Sequence, residues 1–236
     1  MTPNININTI NTLDTTNIDV VVLANGEYPC NEIPLSLIHR GIPIVCCDGA
    51  IAKLDLKNIT PIAVIGDGDS IPQHLKDKYQ NCWHYIAEQE TNDLTKAVNY
   101  CIEHRFKHIA ILGATGMRED HTLGNISLLM EYTKNAGKRI APFNNIMHKG
   151  ISADIVTDHG IFTPHFSSFT KSCRAGQQVS IISFDNTLQI KSSGLLYPTD
   201  NAKFEFWWSG TLNETTGESF SLQLSHNAPV LLFMLY

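Results

Sequence analysis

The sequence has little of what marks membrane, secreted and nucleic-acid-binding proteins. Charged residues make up only 17% of 236 residues, the formal net charge is −6, and no basic block occurs, so nucleic acid is not an expected partner. The longest apolar run, from Ala228 to Tyr236, is too short to span a bilayer. The first Lys or Arg is Arg40, whereas secretory signals and transit peptides carry such residues near their start. These absences predict a cytoplasmic protein that binds neither membrane nor nucleic acid.

The six cysteines show no C-x-x-C spacing, which zinc sites and redox motifs commonly have. Several lie within apolar runs, as Cys46 and Cys47 do. Reduced cysteines of this kind are typical of the core of a cytoplasmic protein. Neither a disulfide framework nor a zinc site is therefore expected.

Residues 18–150 are predicted to form an α/β domain, after a loose N-terminal arm over residues 1–17 that is rich in Asn and Thr. Short apolar runs alternate with segments of helical periodicity, which favours a mostly parallel sheet with crossover helices. The predicted strands cover 19–26, 42–49, 61–65, 82–87, 108–112 and 139–145, and the predicted helices cover 35–40, 72–79, 94–101 and 121–134. The last helix is predicted to bury Leu123, Ile126, Leu129 and Met130.

Helical periodicity disappears after about residue 150, and a domain boundary is expected within 150–160. The following residues form short runs that are rich in β-branched and aromatic side chains and are separated by turn residues. This pattern predicts an all-β sandwich or barrel over residues 151–236. Its predicted strands cover 179–184, 188–192, 203–208, 219–224 and 230–235.

Two aspartates follow the third predicted strand directly, in Gly66-Asp67-Gly68-Asp69-Ser70. Open α/β sheets bind ligands at the carboxyl ends of their strands. Two carboxylates there form a site suited to Mg²⁺ carrying a phosphorylated substrate. Asp67 and Asp69 are also common turn residues, so this stretch alone leaves both interpretations open. Other strands likewise end in polar residues or glycine, and this concentration favours one site: Asn25, Asp48, Gln89 and Gly113.

A second candidate site lies at the start of a helix, between Gln89 and Lys96. Asp93 in the first turn and Lys96 three residues later share one helix face. The free amides of a helix start attract phosphate, the acid can hold a metal, and the lysine can contact a phosphate oxygen. Alternatively, Asp93 only offsets the helix dipole and Lys96 is solvated. Thr91 or Asn92 is expected to cap this helix.

A third candidate site is the strand, glycine turn and helix over residues 113–121. Its spacing matches neither the Walker motif nor G-x-G-x-x-G, but backbone amides of such a turn can approach phosphate. Arg118 could clamp a phosphate with two hydrogen bonds, and Asp120 could orient Arg118 or bind ligand. The alternative is an ordinary turn with a surface ion pair. His121 is expected to be a helix-start or packing residue rather than a base.

Trp207 and Trp208 are adjacent on a predicted strand, so their side chains point to opposite faces. One is expected in the core, and the other can stack on a flat cationic ring. The alternative is that both are structural.

Five ordered segments together resemble the thiamine pyrophosphokinase (thiamine diphosphokinase) family. The family shows D-G-G-A, G-D-x-D-S, Q-D-x-T-D-x-x-K-A, G-x-x-G-x-R-x-D-H and S-N-E segments in this order. Here they read Asp48-Gly49-Ala50, Gly66-Asp67-Gly68-Asp69-Ser70, Gln89 through Asp93 to Lys96-Ala97, Gly113 through Arg118 to Asp120-His121, and Leu212-Asn213-Glu214. The resemblance covers residues 20–235.

The resemblance implies a transferase that moves an intact pyrophosphoryl group from ATP to the hydroxyl of thiamine and releases AMP. It also implies an ATP-binding α/β half, a thiamine-binding β-rich half, and a homodimer with thiamine where two subunits meet. The implied catalytic and Mg²⁺-binding residues are Asp67, Asp69 and Asp93. Those implied to contact the nucleotide or its metal are Asp48, Gln89, Asn92, Lys96, Arg118 and Asp120. Those implied to contact thiamine are Trp207, Trp208, Ser209, Thr211 and Asn213.

The chain departs from the family pattern at several positions, which are Ala50, Gly68, Glu90, Asn92, Met117 and Leu212. Leu212 replaces the family serine, for which Ser209 or Thr211 could substitute. Two rival functions remain at this point. A nucleotide-sugar glycosyltransferase would use Asp67-Gly68-Asp69 as its D-x-D metal motif, and a non-catalytic nucleotide sensor would bind ATP without forming AMP.

Overall fold

The structure, a computed structural model, describes residues 17–134 and 151–236. The predicted strand over 139–145 and nearly all of the predicted N-terminal arm lie outside these residues. Five helices and thirteen strands make up the part described. The helices are α1 Glu32–His39, α2 Ile51–Asp55, α3 Gln73–Lys78, α4 Asp93–Glu103 and α5 Glu119–Lys134, with a 3₁₀ turn at Asp48–Ala50. The strands are β1 Val20–Leu23, β2 Ile44–Cys47, β3 Ala63–Gly66, β4 Trp83–Tyr85, β5 His108–Leu112, β6 Ser152–Val156, β7 Gly160–His165, β8 Phe169–Ser172, β9 Gln178–Ser183, β10 Ile190–Ser193, β11 Gly210–Glu214, β12 Ser219–Leu224 and β13 Val230–Leu235.

One ten-stranded sheet runs through both halves of the chain, in the order β11-β9-β13-β7-β6-β5-β1-β2-β3-β4. The six strands from β6 to β4 are parallel to their neighbours, and β7, β13, β9 and β11 continue the sheet with antiparallel pairing. The predicted parallel α/β half is thus confirmed. Its strands are buried on both faces, which explains why β1, β2 and β3 are continuous apolar runs.

Helices cover the parallel strands on both faces. Leu37 and Leu54 from α1 and α2 belong to the core on one face. Val98 of α4 and Leu129 of α5 belong to the core on the opposite face. Leu123 is 52% exposed, so the prediction that it faces inward is wrong. The first turns of α5 border an open cleft rather than the sheet, and Leu123 therefore finds no apolar layer to pack against.

The second half forms an antiparallel sandwich, as predicted. A three-stranded sheet in the order β10-β12-β8 shares a core with the antiparallel end of the large sheet. Ile190 and Leu222 of the small sheet meet Ile181 and Leu232 of the large one in this core. The sandwich therefore shares one of its two sheets with the α/β half. Strands β6, β7, β8 and β11 are not among the predicted strands.

The predicted strand over 203–208 is wrong. Residues 205–209 form a bend and a turn, and the strand begins at Gly210. Phe204 alone of the run is buried, at 2% exposure, whereas Phe206, Trp207 and Trp208 are exposed. Aromatic residues favour strands only when a sheet face is available to pack against, and here none covers them.

The described helices include none that is both long and apolar enough to cross a membrane.

Candidate active site

The carboxyl ends of β1, β2, β3, β4 and β5 meet at one edge of the sheet, because these strands are parallel to one another. The residues that follow them are those that the sequence places after its strands. Asp48 follows β2, Asp67 follows β3, and Gly113 follows β5. The predicted concentration of polar residues at this edge is therefore confirmed.

Asp48 fixes the loop that follows β3 and carries Asp67 and Asp69. It begins the 3₁₀ turn after β2, is only 2% exposed, and accepts a hydrogen bond at Oδ2 from the backbone N–H of Gly68, at 2.8 Å. A Cβ atom added to Gly66 would lie 2.6 Å from Cγ of Asp48. Glycine is required at the end of β3 because the loop backbone passes directly over the buried carboxylate.

Asp67 is half-buried and has both carboxylate oxygens engaged. Oδ1 accepts from the backbone N–H of Asp69 at 3.0 Å, and Oδ2 accepts from Nε2 of Gln89 at 2.8 Å. These two hydrogen bonds, with the first as the larger cause, lower the pKa of Asp67. Asp67 is therefore held as a carboxylate, while the neighbouring Asp69 is exposed at the loop tip.

Helix α4 presents a buried lysine to this edge. Asn92 caps the helix by accepting from the backbone N–H of Thr95, at 2.9 Å, which confirms one of the two predicted caps. Lys96 is only 2% exposed, so the alternative in which it is solvated is wrong. Its Nζ donates to Oδ1 of Asp93 at 3.2 Å. The charge of Lys96 also lowers the pKa of Asp67, as a smaller cause than the two hydrogen bonds, whereas burial raises it. Lys96 therefore lies near both Asp93 and Asp67.

The charges of two acids from other junctions act on Asp48. The pKa of Asp48 is raised, first by burial, then by the charge of Asp93, with a further contribution from Asp67. Within residues 17–134 and 151–236, no three His, Cys, Asp or Glu side chains are grouped closely enough to hold a metal ion. Mg²⁺ commonly takes one or two protein carboxylates and completes its shell with substrate phosphates and water. The mutual repulsion of these acids therefore fits a metal that arrives with a phosphorylated substrate.

A cleft of about 290 Å³ lies beside the acids, between the ends of β1, β2 and β5. Two loops form its floor and are joined by backbone hydrogen bonds, from Gly26 N–H to the carbonyl of Gly113 at 2.6 Å and from Glu27 N–H to the carbonyl of Thr115 at 2.8 Å. A Cβ at Gly26 would lie 2.4 Å from the Gly113 oxygen, so the two backbones touch there. Glycine at position 26 therefore allows the two loops to lie directly against each other.

Some of the predicted site residues line the cleft, and others lie outside it. Asn92, Asp93 and Arg118 line it, whereas Asp67, Asp69 and Asp120 do not. Nη2 of Arg118 pairs with Oδ2 of Asp120 at 2.5 Å, and both side chains are exposed. This pairing supports the predicted orienting role of Asp120. His121 lies in the first turn of α5 and is exposed beside the cleft, so it is a helix-start residue and not a packing residue.

Two further side chains support the cleft and were missed in the sequence. Nζ of Lys53 donates to the backbone carbonyls of Asn25, at 2.9 Å, and of Gly26. Nδ2 of Asn125 donates to the carbonyl of Ala114 at 2.7 Å. Neither residue follows a strand or belongs to a motif. The sequence offered one signal, which is that the polar amide of Asn125 lies next to Ile126, a residue predicted to face inward.

The predicted tryptophan pair lies in an exposed aromatic surface. Trp207 is 46% exposed and Trp208 is 61% exposed, so the prediction that one lies in the core is wrong, because both occupy a turn. The ring of Phe184 lies 5.8 Å from that of Trp207, and Phe206 stacks on Trp208 at 6.1 Å. We call Phe184, Phe206, Trp207 and Trp208 the aromatic surface.

The polar side chains near this surface form hydrogen bonds with backbone groups of the same chain. Asn213 is 5% exposed, and its amide bonds both the N–H and the carbonyl of Tyr197. The hydroxyls of Ser209 and Thr211 bond backbone groups of Phe206 and Trp208. Leu212 is 85% exposed, with a positive φ of 62°, where the pairing of β11 shifts register.

The aromatic surface and the acids are not brought together within one chain. The surface adjoins β11, which is seven strand positions from β2 in the large sheet. At about 4.8 Å per strand, this is about 34 Å across the sheet. The two sets of residues are therefore well separated along the sheet of one chain.

Comparison with known proteins gives a consistent result. Residues 36–141 match the family model of the thiamin pyrophosphokinase catalytic domain, and residues 160–233 match that of the thiamin pyrophosphokinase substrate-binding domain. Thiamin pyrophosphokinase 1 of Caenorhabditis elegans is 26% identical over 189 residues, which is 76% of this chain and 72% of that protein. Thiamine pyrophosphokinase of Bacillus subtilis is 38% identical over 90 residues, 36% of this chain and 42% of that protein.

Solved structures share the fold. The crystal structure of thiamine pyrophosphokinase from Bacillus subtilis matches with a TM-score of 0.72 and 19% identity, over 92% of this chain and 98% of that one. Thiamin pyrophosphokinase from Candida albicans matches with a TM-score of 0.72 and 18% identity, over 92% of this chain and 90% of that one. The two family models together span about three quarters of the sequence. The chain therefore belongs to the thiamin pyrophosphokinase family, transferases whose known activity is the transfer of pyrophosphate from ATP to thiamine.

Proposed function

We propose that the protein is a magnesium-dependent thiamine diphosphokinase whose catalytic centre is formed by Asp67, Asp69 and Asp93. The observation that carries this proposal is that Asp48, Asp67 and Asp93 come from three β–α junctions, that Asp93 pairs with the buried Lys96, and that the charges of Asp93 and Asp67 act on Asp48. Such a site favours a divalent cation and the phosphate chain of a nucleotide.

The reaction has a simple balance. The hydroxyl oxygen of thiamine forms a bond to the β-phosphorus of ATP, and the bond from that phosphorus to the oxygen bridging to the α-phosphate breaks. AMP leaves with the electron pair, and the hydroxyl proton passes to an aspartate. Asp67 or Asp69 is the proposed acceptor, since both lie at the loop tip beside the other acids. Transfer of this kind depends on alignment and charge neutralisation more than on covalent catalysis.

Asp67, Asp69 and Asp93 would hold Mg²⁺ together with phosphate oxygens of the nucleotide. When bound, it neutralises negative charge that builds on the phosphate chain. Lys96 meets a phosphate oxygen while it remains beside Asp93. Arg118 is aligned by Asp120 and lines the cleft, where its planar guanidinium can contact phosphate with two hydrogen bonds. Asp48 and Gln89 hold the loop that carries Asp67 and Asp69, and Asn92, which lines the cleft, contacts the nucleotide.

The aromatic surface supports thiamine binding. Exposed tryptophan rings attract a flat cation, and the thiazolium of thiamine is one. Trp207 and Trp208 are proposed to stack on it, with Ser209, Thr211 and Asn213 shaping the turn that presents them. Because these residues lie about 34 Å from the acids of the same chain, seven strand positions away, we propose a homodimer in which each site combines two subunits.

The two halves divide the work in this proposal, with ATP bound by residues 18–150 and thiamine by residues 151–236. The six cysteines are all free, which supports a reducing compartment, and we place the enzyme in the cytoplasm. The proposal involves neither nucleic acid nor membrane.

The test is incubation with ATP, Mg²⁺ and thiamine, followed by chromatography of the products. We expect AMP and thiamine diphosphate in equal amounts, and loss of both when EDTA removes the metal. Release of UDP from a nucleotide sugar would identify a glycosyltransferase instead. Bound ATP without AMP, in the presence of thiamine and Mg²⁺, would identify a nucleotide sensor and end the proposal.

A further inference from the structure

The ring of Trp83 lies against the loop that carries Asp67 and Asp69. Trp83 is the first residue of the edge strand β4, and its half-buried ring packs against the core that α1 and α2 cover. A Cβ atom added to Gly68 would lie 2.4 Å from Cζ2 of this ring and 2.9 Å from Cη2. The ring therefore contacts the backbone of the one residue that separates the two aspartates.

Gly68 is also held by hydrogen bonds. Its backbone N–H donates to Oδ2 of the buried Asp48 at 2.8 Å, and its carbonyl accepts from the N–H of Ile71 at 3.2 Å. Its φ of 79° lies in the left-handed region, which glycine adopts without strain. The hydrogen bond to Asp48 joins the loop to the end of β2, and the ring of Trp83 supports it from β4.

Lys76 of α3 holds the ring in place. Its Nζ lies 5.3 Å from the centroid of the Trp83 ring, which is a cation–π contact. The same Nζ would lie 3.4 Å from a Cβ at Gly68, so the cation and the ring lie together beside the loop. Tyr85 meets the ring edge-on, with the two centroids 6.2 Å apart. Because the ring has partners of its own, it can position the loop rather than follow it.

The indole N–H of Trp83 makes no contribution to this arrangement. Nε1 is buried and has no hydrogen-bond partner among the described residues. A buried donor without a partner costs free energy, and a leucine or phenylalanine would fill this strand position without that cost. The six-membered ring of the indole carries both atoms that lie nearest to Gly68, so the reach of that ring accounts for a tryptophan here.

We propose that Trp83, held by Lys76, is a positioning residue that fixes the peptide of Gly68 between the two aspartates of the catalytic loop. It acts through that backbone rather than on the substrates. The inference rests on the proposed function, which assigns both aspartates to the reaction. Since small displacements at a reacting centre lower the rate, loss of the ring should lower kcat more than it raises either KM.

A double-mutant cycle tests the contact. We expect kcat to fall about tenfold in Trp83→Ala, because the loop loosens, and about a hundredfold in Gly68→Ala, because the new Cβ meets the ring. In the double variant that Cβ has room, so we expect a loss of about a hundredfold rather than the thousandfold product. Backbone strain from alanine at a positive φ is the same with and without the ring, and it cancels in the cycle.

Amide hydrogen exchange gives a measurement that does not depend on turnover. The N–H groups of Gly68 and Asp69 donate to carboxylates of Asp48 and Asp67, so they are protected while the loop is held. In Trp83→Ala we expect residues 66–71 to exchange about tenfold faster, and residues of the sandwich to keep their wild-type rates. Trp83→Phe, whose ring is shorter, should give an intermediate rate.

The matched control is Phe169→Ala, which removes a half-buried ring on β8 from the sandwich core. It should lower the melting temperature as Trp83→Ala does, but leave kcat and the exchange of residues 66–71 unchanged. Multiplicative losses in the cycle overturn the proposal, and so do wild-type exchange in Trp83→Ala or equal effects of the control. A wild type that forms no thiamine diphosphate contradicts the proposed function alone, and the exchange rates then still decide whether Trp83 holds the loop.

Discussion

The carboxylate of Asp48 accepts a hydrogen bond from the backbone of Gly68, twenty residues further along the chain, at 2.8 Å. This bond joins the end of β2 to the loop that carries Asp67 and Asp69. The loop that presents the proposed metal ligands is thus positioned by a buried acid that does not face the cleft. Its closeness to Gly66 leaves no room for a side chain there.

Gly66→Ala is accordingly expected to damage the site. The added Cβ would lie 2.6 Å from Cγ of Asp48, so either the loop or the acid must move. A displacement of this kind should lower kcat/KM by about a hundredfold, since small misplacements at a reacting centre are costly. Steady-state kinetics measures the loss. The matched control is Gly124→Ala in α5, where a Cβ meets nothing within 4 Å and activity should be retained. Equal kinetics for the two variants would show that the Asp48 contact does not position the loop.

The position of this loop could be predicted from the sequence, because parallel strands that are buried on both faces bring the residues after them to one edge. Asp48 and Asp67 could be located by this rule, and Asp93 by the helical pattern that begins beside it. The burial of Lys96 could not, since a lysine in the first turn of a helix has the same sequence pattern whether it faces solvent or a neighbouring loop. Nor could the support from Lys53, which depends on a contact with backbone 27 residues away.

The turn that holds Trp207 and Trp208 shows a second reason why the sequence did not predict part of the fold. A run from Lys203 to Trp208 has strong strand propensity, but only Phe204 finds the sandwich core. Propensity measures fit to a sheet face, and the residues that follow Phe204 have none. The continuity of the large sheet was also beyond the sequence, because nothing local in Ser152–Val156 indicates that it pairs with β5.

Asp69→Asn tests the proposed catalytic centre. Loss of an exposed carboxylate should leave folding intact, since Asp69 supports its loop through its backbone N–H rather than its side chain. We expect kcat to fall at least about a hundredfold, within the range seen when a charge-stabilising or proton-accepting group is removed. The melting temperature should change by no more than a degree or two. A variant with near-normal turnover would remove Asp69 from the mechanism.

Lys53→Met tests whether the floor of the cleft needs its lysine. Lys53 donates to the carbonyls of Asn25 and Gly26, and burial lowers its pKa. Without these bonds the Gly26 loop should shift against its partner at Gly113, and the KM for ATP should rise about tenfold. The KM for thiamine should not change. The matched control is Lys191→Met on β10, whose exposed side chain lies in the three-stranded sheet of the sandwich and not at the cleft. If the two variants behave alike, Lys53 has no positioning role.

Asp154→Asn should stabilise the protein in a pH-dependent way. Burial raises the pKa of Asp154 to about 6, partly offset by the charge of Lys171 and a hydrogen bond with Thr163. Because this value lies above the unfolded value of 3.8, the folded state loses stability as pH rises from 3.8 to about 6, and the penalty is complete above 6 and absent below 3.8. The amide that replaces the carboxyl group carries no charge at any pH. The variant's melting temperature should therefore exceed the wild type's by a few degrees at pH 7.5 and equal it at pH 3.5. Equal melting temperatures at both values would contradict the shift.

A mixed dimer tests the proposal that each site combines two subunits. Asp93→Asn removes an acid at the carboxyl edge, and a double Trp207→Ala, Trp208→Ala variant removes rings of the aromatic surface. At low thiamine concentration, each variant alone should be nearly inactive, the first through kcat and the second through a raised KM for thiamine. A mixed dimer has one site in which both elements are altered and one in which both are intact. Refolding the two variants together at equal amounts should then restore about a quarter of wild-type activity, since half of the dimers are mixed and each has one intact site.

If each site is formed within one chain, a different activity is expected for the mixture of the two variants. If the acids and the tryptophans of one chain served the same site, every site in the mixture would contain one altered element, and activity would not rise above the average of the two variants. The separation of β11 from β2 by seven strand positions makes this arrangement incompatible with a substrate as small as thiamine, because about 34 Å of sheet lies between them. A mixture without recovery, at a concentration where size-exclusion chromatography shows mixed dimers, would require the thiamine ring to bind away from the aromatic surface. The turn from Phe206 to Ser209 would then be free of the reaction, and its exposed rings would need another partner.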